Sequence, residues 1–153
     1  MKYTGLISKT LGALALIALF LYCSSQSGGT GDTGGTQTYT ITMTLEQPTN
    51  ASGNPLASGK PVYGKLVAGS GTYTDPALYS GYTVFPSGSG TATMTITGIT
   101  NGTYTGHLMI DINGNADTNN PLPDTGDYGT SSPTMTISSN ISDTVHADAW
   151  IEI

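Results

Sequence analysis

From Thr38 onward the chain alternates with period two. TYTITMTLE (38–46) sets Tyr39, Ile41, Met43 and Leu45 on one face and Thr38, Thr40, Thr42 and Thr44 on the other. Successive side chains of a strand point to opposite sides, so this pattern predicts a strand with one buried and one wetted face. TATMTITGI (91–99) repeats it, with Ala92, Met94 and Ile96 inward and Thr91, Thr93, Thr95 and Thr97 outward. TYTGHLMID (103–111) groups Tyr104, Leu108 and Ile110 and leaves His107 on the opposite side, while PTMTIS (133–138) turns Met135 and Ile137 inward. TVHADAWIEI (144–153) reads as one strand, with Val145, Ala147, Ala149, Ile151 and Ile153 against His146, Asp148, Trp150 and Glu152. Val62–Val67 and Leu78–Phe85 are weaker strand candidates. SGNPLASG, SGSG, ITNG, NGN and SSN punctuate the runs as turns. About seven short strands with no sustained helical period predict an all-β fold over 38–153, an antiparallel two-sheet sandwich.

The first 37 residues follow other rules. MKYTGLISKTLGALALIALFLY (1–22) carries Lys2 and Lys9 ahead of an apolar run from Leu11 to Tyr22. That run is short for a bilayer span, which needs about 20 residues, and suits the helical apolar core of a secretory signal. An uncleaved anchor starting near Leu6 is the alternative. SSQSGGTGDTGGTQ (24–37) holds no large apolar side chain and reads as a flexible tether. The expected organisation is a signal at 1–22, a tether at 23–37 and a folded domain at 38–153.

Composition narrows the setting. Only 9% of residues are charged, the formal net charge is −6, and Lys and Arg together number four. With Lys2 and Lys9 in the signal, the domain keeps Lys60 and Lys65 against the acids, which argues against nucleic acid as a partner. Such a neutral, hydroxyl-rich surface fits an extracellular all-β protein.

The single cysteine, Cys23, follows the apolar run directly and cannot form an internal disulfide. LFLYCSSQSGG resembles the lipobox of bacterial lipoproteins, most closely its relaxed spirochaete forms, with Tyr22 and Phe20 where smaller residues and Leu are usual. The resemblance implies acylation of Cys23 (a palmitate-type anchor), membrane attachment through it and, with Ser24 next, sorting to the outer membrane. A second resemblance covers residues 98–129. GITNGTYTGHLMIDINGN and the later Gly126-Asp127-Tyr128-Gly129 are similar to the hairpin and following loop of transthyretin-like (prealbumin-like) domains. It implies a β-sandwich at the cell surface and no particular activity. An immunoglobulin-like sandwich is the other expectation for the domain.

DINGNADTNNPLPDTGD (111–127) concentrates candidate chemistry. Asp111, Asn113, Asn115 and Asp117 alternate as at the start of an EF-hand loop. Ala116 then replaces the required Gly, and Leu122 the bidentate Glu, so a full EF-hand is excluded. Asp124 and Asp127 can supply further carboxylates after Pro121-Leu122-Pro123. Four carboxylates in seventeen residues repel unless solvated or neutralised, and so long a connection is uncommon without a role. The expectation is a Ca2+ site at Asp111, Asn113, Asn115, Asp117, Asp124 and Asp127. The alternatives are a metal-free polar loop built on Asn-Gly turn chemistry, or another ligand.

For catalysis the sequence offers little. There is no G-x-S-x-G, and only two histidines, His107 and His146; a hydrolase is a distant alternative. The threonine rows lack the short repeat of an ice-matching surface and read as solvated sheet faces. Trp150, together with Tyr79 and Tyr82, is the candidate contact set for a host protein or glycan. The expected function is non-enzymatic, a lipid-anchored surface domain in a binding or structural role, with an adhesin-like module as the runner-up.

Overall fold

The computed structural model describes residues 35–117 and 121–153. The signal, Cys23 and the tether through residue 34 lie outside them, as do residues 118–120.

The regular structure of the described chain is nearly all β, with one short 3-10 turn. Nine strands follow in order: β1 Thr38–Glu46, β2 Pro61–Ala68, β3 Tyr79–Val84, β4 Thr91–Thr100, β5 Gly102–Ile110, β6 Tyr128–Ser131, β7 Met135–Ile137, β8 Ile141–Val145 and β9 Ile151–Glu152. They make two sheets, β4-β1-β8 and β3-β2-β5-β6-β9, with β7 also paired to β5. The all-β two-sheet sandwich is therefore present. Its pairing is antiparallel except where β8 runs parallel to β1.

Alternation dictates the core as read. Leu45, Ala92, Met94, Ile96 and Ile99 of the first sheet meet Val62, Leu66, Tyr104, Leu108 and Ile110 of the second, all buried. Close approach of the sheets depends on Gly64 and Gly81, which are paired across β2 and β3. A β-carbon on Gly64 would lie 2.5 Å from Met94 Sδ, and one on Gly81 2.8 Å from Ile96 Cγ1. On β4 one extra residue beside Gly98 (φ +74°) shifts the register, so that the Tyr39–Ile99 and Ile41–Ile96 pairs both reach the core.

Two expectations need correction. The tenth-residue run TVHADAWIEI is not one strand: β8 ends at Val145, a 3-10 turn spans Ala147–Ala149, and β9 joins the opposite sheet. The cause lies in Glu46. Its carboxylate accepts from the Ala147 amide at 3.1 Å and meets His146 Nδ1 at 3.2 Å, and its carbonyl accepts from Trp150 Nε1 at 2.8 Å. Trp150 is therefore not on an outward face; it is 7% exposed and packs in the core with Leu45, Phe85 and Ala92. Ile151, assigned inward by alternation, is exposed instead.

Candidate functional site

The outer face of the second sheet carries the groups of interest. The register sets Tyr63 and Lys65 of β2 beside Tyr82 and Ser80 of β3 on one side, and beside Met109 and His107 of β5 on the other. In an ordinary sandwich these side chains would stand in water. Here the connection from β2 to β3, residues 69–77, folds back over Lys65 and His107 as an arm.

Tyr73 pins the arm. Its hydroxyl lies within hydrogen-bond distance of the backbone carbonyls of Leu108 and Thr130, the latter at 2.7 Å, and shares its one proton between them. It can reach them because Gly129 has no side chain: a β-carbon there would lie 3.0 Å from the hydroxyl. The Tyr73 ring sits 4.5 Å from that of His107. Lys65 Nζ donates to the carbonyls of Tyr73 and Asp75, and the Asp75 carboxylate accepts from the Thr72 amide at 2.6 Å.

His107, expected outward, is 5% exposed beneath the arm. Its Nε2 faces the Gly71 carbonyl at 3.0 Å, so that nitrogen carries the proton. Nδ1 then accepts from Ser131 Oγ at 2.7 Å. Burial pushes the His107 pKa below its ordinary value, and the Lys65 charge adds to that, while the Gly71 contact and Asp75 oppose it. Burial also lowers the Lys65 pKa. A serine hydroxyl on a neutral imidazole resembles a nucleophile with its base. The imidazole, however, is sealed under the arm, with both nitrogens occupied.

The acidic loop lies beside this region. Asp111 is buried, and its carboxylate accepts from the amides of Gly114 at 2.7 Å and of Asn115 and Ala116 at 3.2 Å each. Gly114 takes φ +77° to allow the turn. Asp127, 0% exposed, accepts from Ile112 N at 2.9 Å and Asp124 N at 3.1 Å, which ties the start of the loop to its end. Asp124 accepts from the side-chain amides of Asn113 at 2.7 Å and Asn115 at 2.6 Å; these bonds hold its carboxyl below the usual carboxylate range. Hydrogen-bond donors thus answer the mutual repulsion of these carboxylates. Asp117 is exposed. Among the described residues no three His, Cys, Asp or Glu side chains are grouped so as to hold a metal ion.

Between arm and loop runs an open groove of about 830 Å³. Its floor is backbone at Gly64 and Gly81, and Pro121 of the acidic loop lines it together with Thr74, Pro76 and Ala77 of the arm. Tyr63 and Tyr82 pack at 5.3 Å between centroids, tilted by 55°, and line the same groove.

The sequence-derived contact residues therefore separate. Tyr82 is 59% exposed and lines the groove. Tyr79 turns to the inner side, packs edge-on against Tyr104 and bonds Thr100 Oγ1 at 2.9 Å. Trp150 is in the core. Tyr73, read with Tyr79 and Tyr82 as a tyrosine-rich contact candidate, instead pins the arm, and Tyr63 and Lys65 were not singled out as site residues by sequence. Compared with known proteins, the chain matches no family model, no curated protein and no solved structure.

Proposed function

We propose that this chain is a non-enzymatic, lipid-anchored β-sandwich of the bacterial cell envelope that presents a binding surface at the end of a tether. The observation that carries the reading is the use to which the reactive side chains are put. His107, Lys65, Tyr73, Asp111 and Asp127 each hold backbone or neighbouring strands in place. The groove that Lys65 borders is lined otherwise by aromatic, hydroxyl, proline and small side chains, which is the composition of a contact surface.

Two further points support the transthyretin-like resemblance over the immunoglobulin-like one. In the immunoglobulin arrangement the first two strands share a sheet; here β1 and β2 lie in different sheets. The residues that carried the resemblance also have local work to do: Gly126 turns at φ +96°, Asp127 ties the loop, Tyr128 packs on the core and Gly129 admits Tyr73.

Acylation at Cys23 rests on sequence and is tested by growing expressing cells with a radiolabelled or alkyne-bearing palmitate. Label on the wild type that is absent in Cys23→Ser supports the anchor. Label on neither protein, with the chain in the soluble fraction, refutes it.

Calcium at the acidic loop is the second reading, favoured by the convergence of Asn113 and Asn115 on Asp124. An ion there requires both amides to turn their oxygens toward it, because amide nitrogen is no ligand for calcium. Thermal melts in EDTA and in about 5 mM calcium decide it: a bound ion raises the melting temperature, and Asp124→Ala abolishes the rise. Coincident melts return the loop to its metal-free role.

A further inference from the structure

We infer that the groove between the arm and the acidic loop is a binding site for a neutral oligosaccharide, gripped between Tyr82, Tyr63 and the hydroxyls beside them. This rests on the proposed reading of the groove as a contact surface and names the class of ligand it takes; the anchor matters only for placing the domain outside the cell.

The size is right for a small ligand: about 830 Å³ falls within the roughly 300–1,000 Å³ of small-molecule sites. Its floor is the outer side of the sheet backbone at Gly64 and Gly81, whose inner sides face Met94 and Ile96 of the core, so a flat ligand can lie there between the side chains of Tyr63, Lys65, Ser80 and Tyr82. Tyr82 presents a largely exposed ring, held in place by its contact with Tyr63. Rings fixed in this way lose little conformational freedom on binding and offer an apolar face with a polar edge. A pyranose has the matching form, with C–H groups on its faces and hydroxyls around its rim.

The polar groups point to the same class. Among the described residues, the hydroxyls of Tyr63, Tyr82 and Ser80 have no hydrogen-bond partner. Each is a donor and an acceptor at once, which suits another hydroxyl and selects no charge. Among the described residues the groove lining holds no carboxylate side chain to receive a cation. The one cation among them, Lys65, already donates to two carbonyls and stands near Asp75. A chain of net charge −6 also disfavours an acidic ligand. Shape admits a proline-rich peptide as well; its carbonyls accept from these hydroxyls, but proline nitrogens offer no donor in return, whereas a sugar hydroxyl answers both roles.

The test is titration calorimetry on the purified full-length chain with neutral cello-, malto- and chito-oligosaccharides. A sialylated oligosaccharide and a polyproline peptide serve as comparisons. The expected result is saturable binding of at least one neutral series, with little or none of the two comparisons. Tyr82→Ala should weaken it at least about tenfold, roughly 1.4 kcal/mol. Tyr82→Phe, which keeps the ring, should weaken it less, and Thr95→Ala on the opposite sheet should leave it unchanged. Because Tyr82 is exposed, its truncation leaves the core intact, and a melt confirms folding. No binding of any neutral series, binding of the peptide alone, or binding indifferent to Tyr82→Ala would overturn the proposal. Palmitate labelling is measured separately, so failure here with label retained at Cys23 refutes the groove and not the anchor.

Discussion

On the outer side of the β4-β1-β8 sheet, Thr42 stands between Thr95 and Ser142, and Thr44 between Thr93 and Thr144. Their hydroxyls are exposed or half-exposed. On the outer side of the other sheet, Lys65 stands between Ser80 and His107 in the same geometric relation. There the arm from 69 to 77 covers the lysine and the histidine, both of which are buried, while Ser80 stays exposed. The same pleated surface thus has two outcomes. Small hydroxyl side chains are satisfied by water and need no cover. A cation and an imidazole taken out of water need partners, and the arm supplies its carbonyls at Gly71, Tyr73 and Asp75. The covered face acquires a groove as a consequence, because the arm rises beside β2 and β3 and leaves Tyr63 and Tyr82 uncovered on its flank.

The comparison is most severely tested at Tyr73. Tyr73→Ala removes the ring over His107 and the hydroxyl's shared bond to the sheet, and should cost about 3 kcal/mol, as for other large aromatic truncations. Tyr73→Phe keeps the ring and should cost about 1–2 kcal/mol. Urea unfolding measures both. If Tyr73→Ala proves no more costly than a change on the threonine face, the arm is a loose loop and the contrast between the faces is lost.

Asp127→Ala should come next, at about 2 kcal/mol, because it leaves the amides of Ile112 and Asp124 without their acceptor in a buried site. Asp127→Asn keeps one acceptor oxygen and should lose less. Since the tie also positions the loop that contributes Pro121 to the groove, ligand affinity should fall with stability in Asp127→Ala, whereas Tyr82→Ala should lower affinity alone.

These two sites also mark how far the sequence could be read. The threonine face was legible on β1 and β4, because both alternate and period two needs no knowledge of what packs where; its third strand, β8, was read only from Thr144 onward. The core positions of β1 and β4 were legible for the same reason. The covered face was not. In GTYTGHLMI nearly every residue from Tyr104 to Ile110 is buried, so alternation no longer separates inside from outside, and His107 falls on the side that is ordinarily wet. What buries it is a distant segment whose only local signals are turns. Trp150 was misplaced by a related cause: the Glu46 clamp breaks β8 off early, and at Trp150 and Ile151 beyond the break inside and outside are exchanged, although His146, Asp148 and Glu152 are exposed as read. In the acidic loop the residues that matter were identified, whereas their bonding to backbone amides depends on turn geometry that composition does not specify.

A smaller effect should appear in acid. Burial holds the His107 pKa below its ordinary value in the folded chain, while the unfolded chain takes up a proton as pH falls through about 6.5. Above that pH both states are neutral at this residue and its effect on stability is constant. Below it the unfolded state binds more protons, so stability falls with falling pH until the folded value is reached. The melting temperature should therefore decline from pH 6.5 downward, and His107→Gln should flatten that part of the profile. An unchanged slope in His107→Gln would mean that the imidazole is reached by water and that the cover is incomplete.

The smallest effects belong to the bare face. Thr95 is exposed, and Thr95→Ala should change stability by less than about 0.5 kcal/mol. Thr42 opposite it is half-buried and should behave similarly. The informative quantity is their coupling. Directly opposed side chains on an antiparallel pair interact by roughly 0.2–1 kcal/mol, and a double-mutant cycle on Thr42→Ala and Thr95→Ala isolates that term. A coupling near the lower bound is expected, because each hydroxyl exchanges its neighbour for water at little cost. A coupling near the upper bound would mean that the threonines bond one another across the strands. The first sheet would then carry a fixed network on its surface, as the second does under its arm, and the two faces would differ only in whether that network is covered.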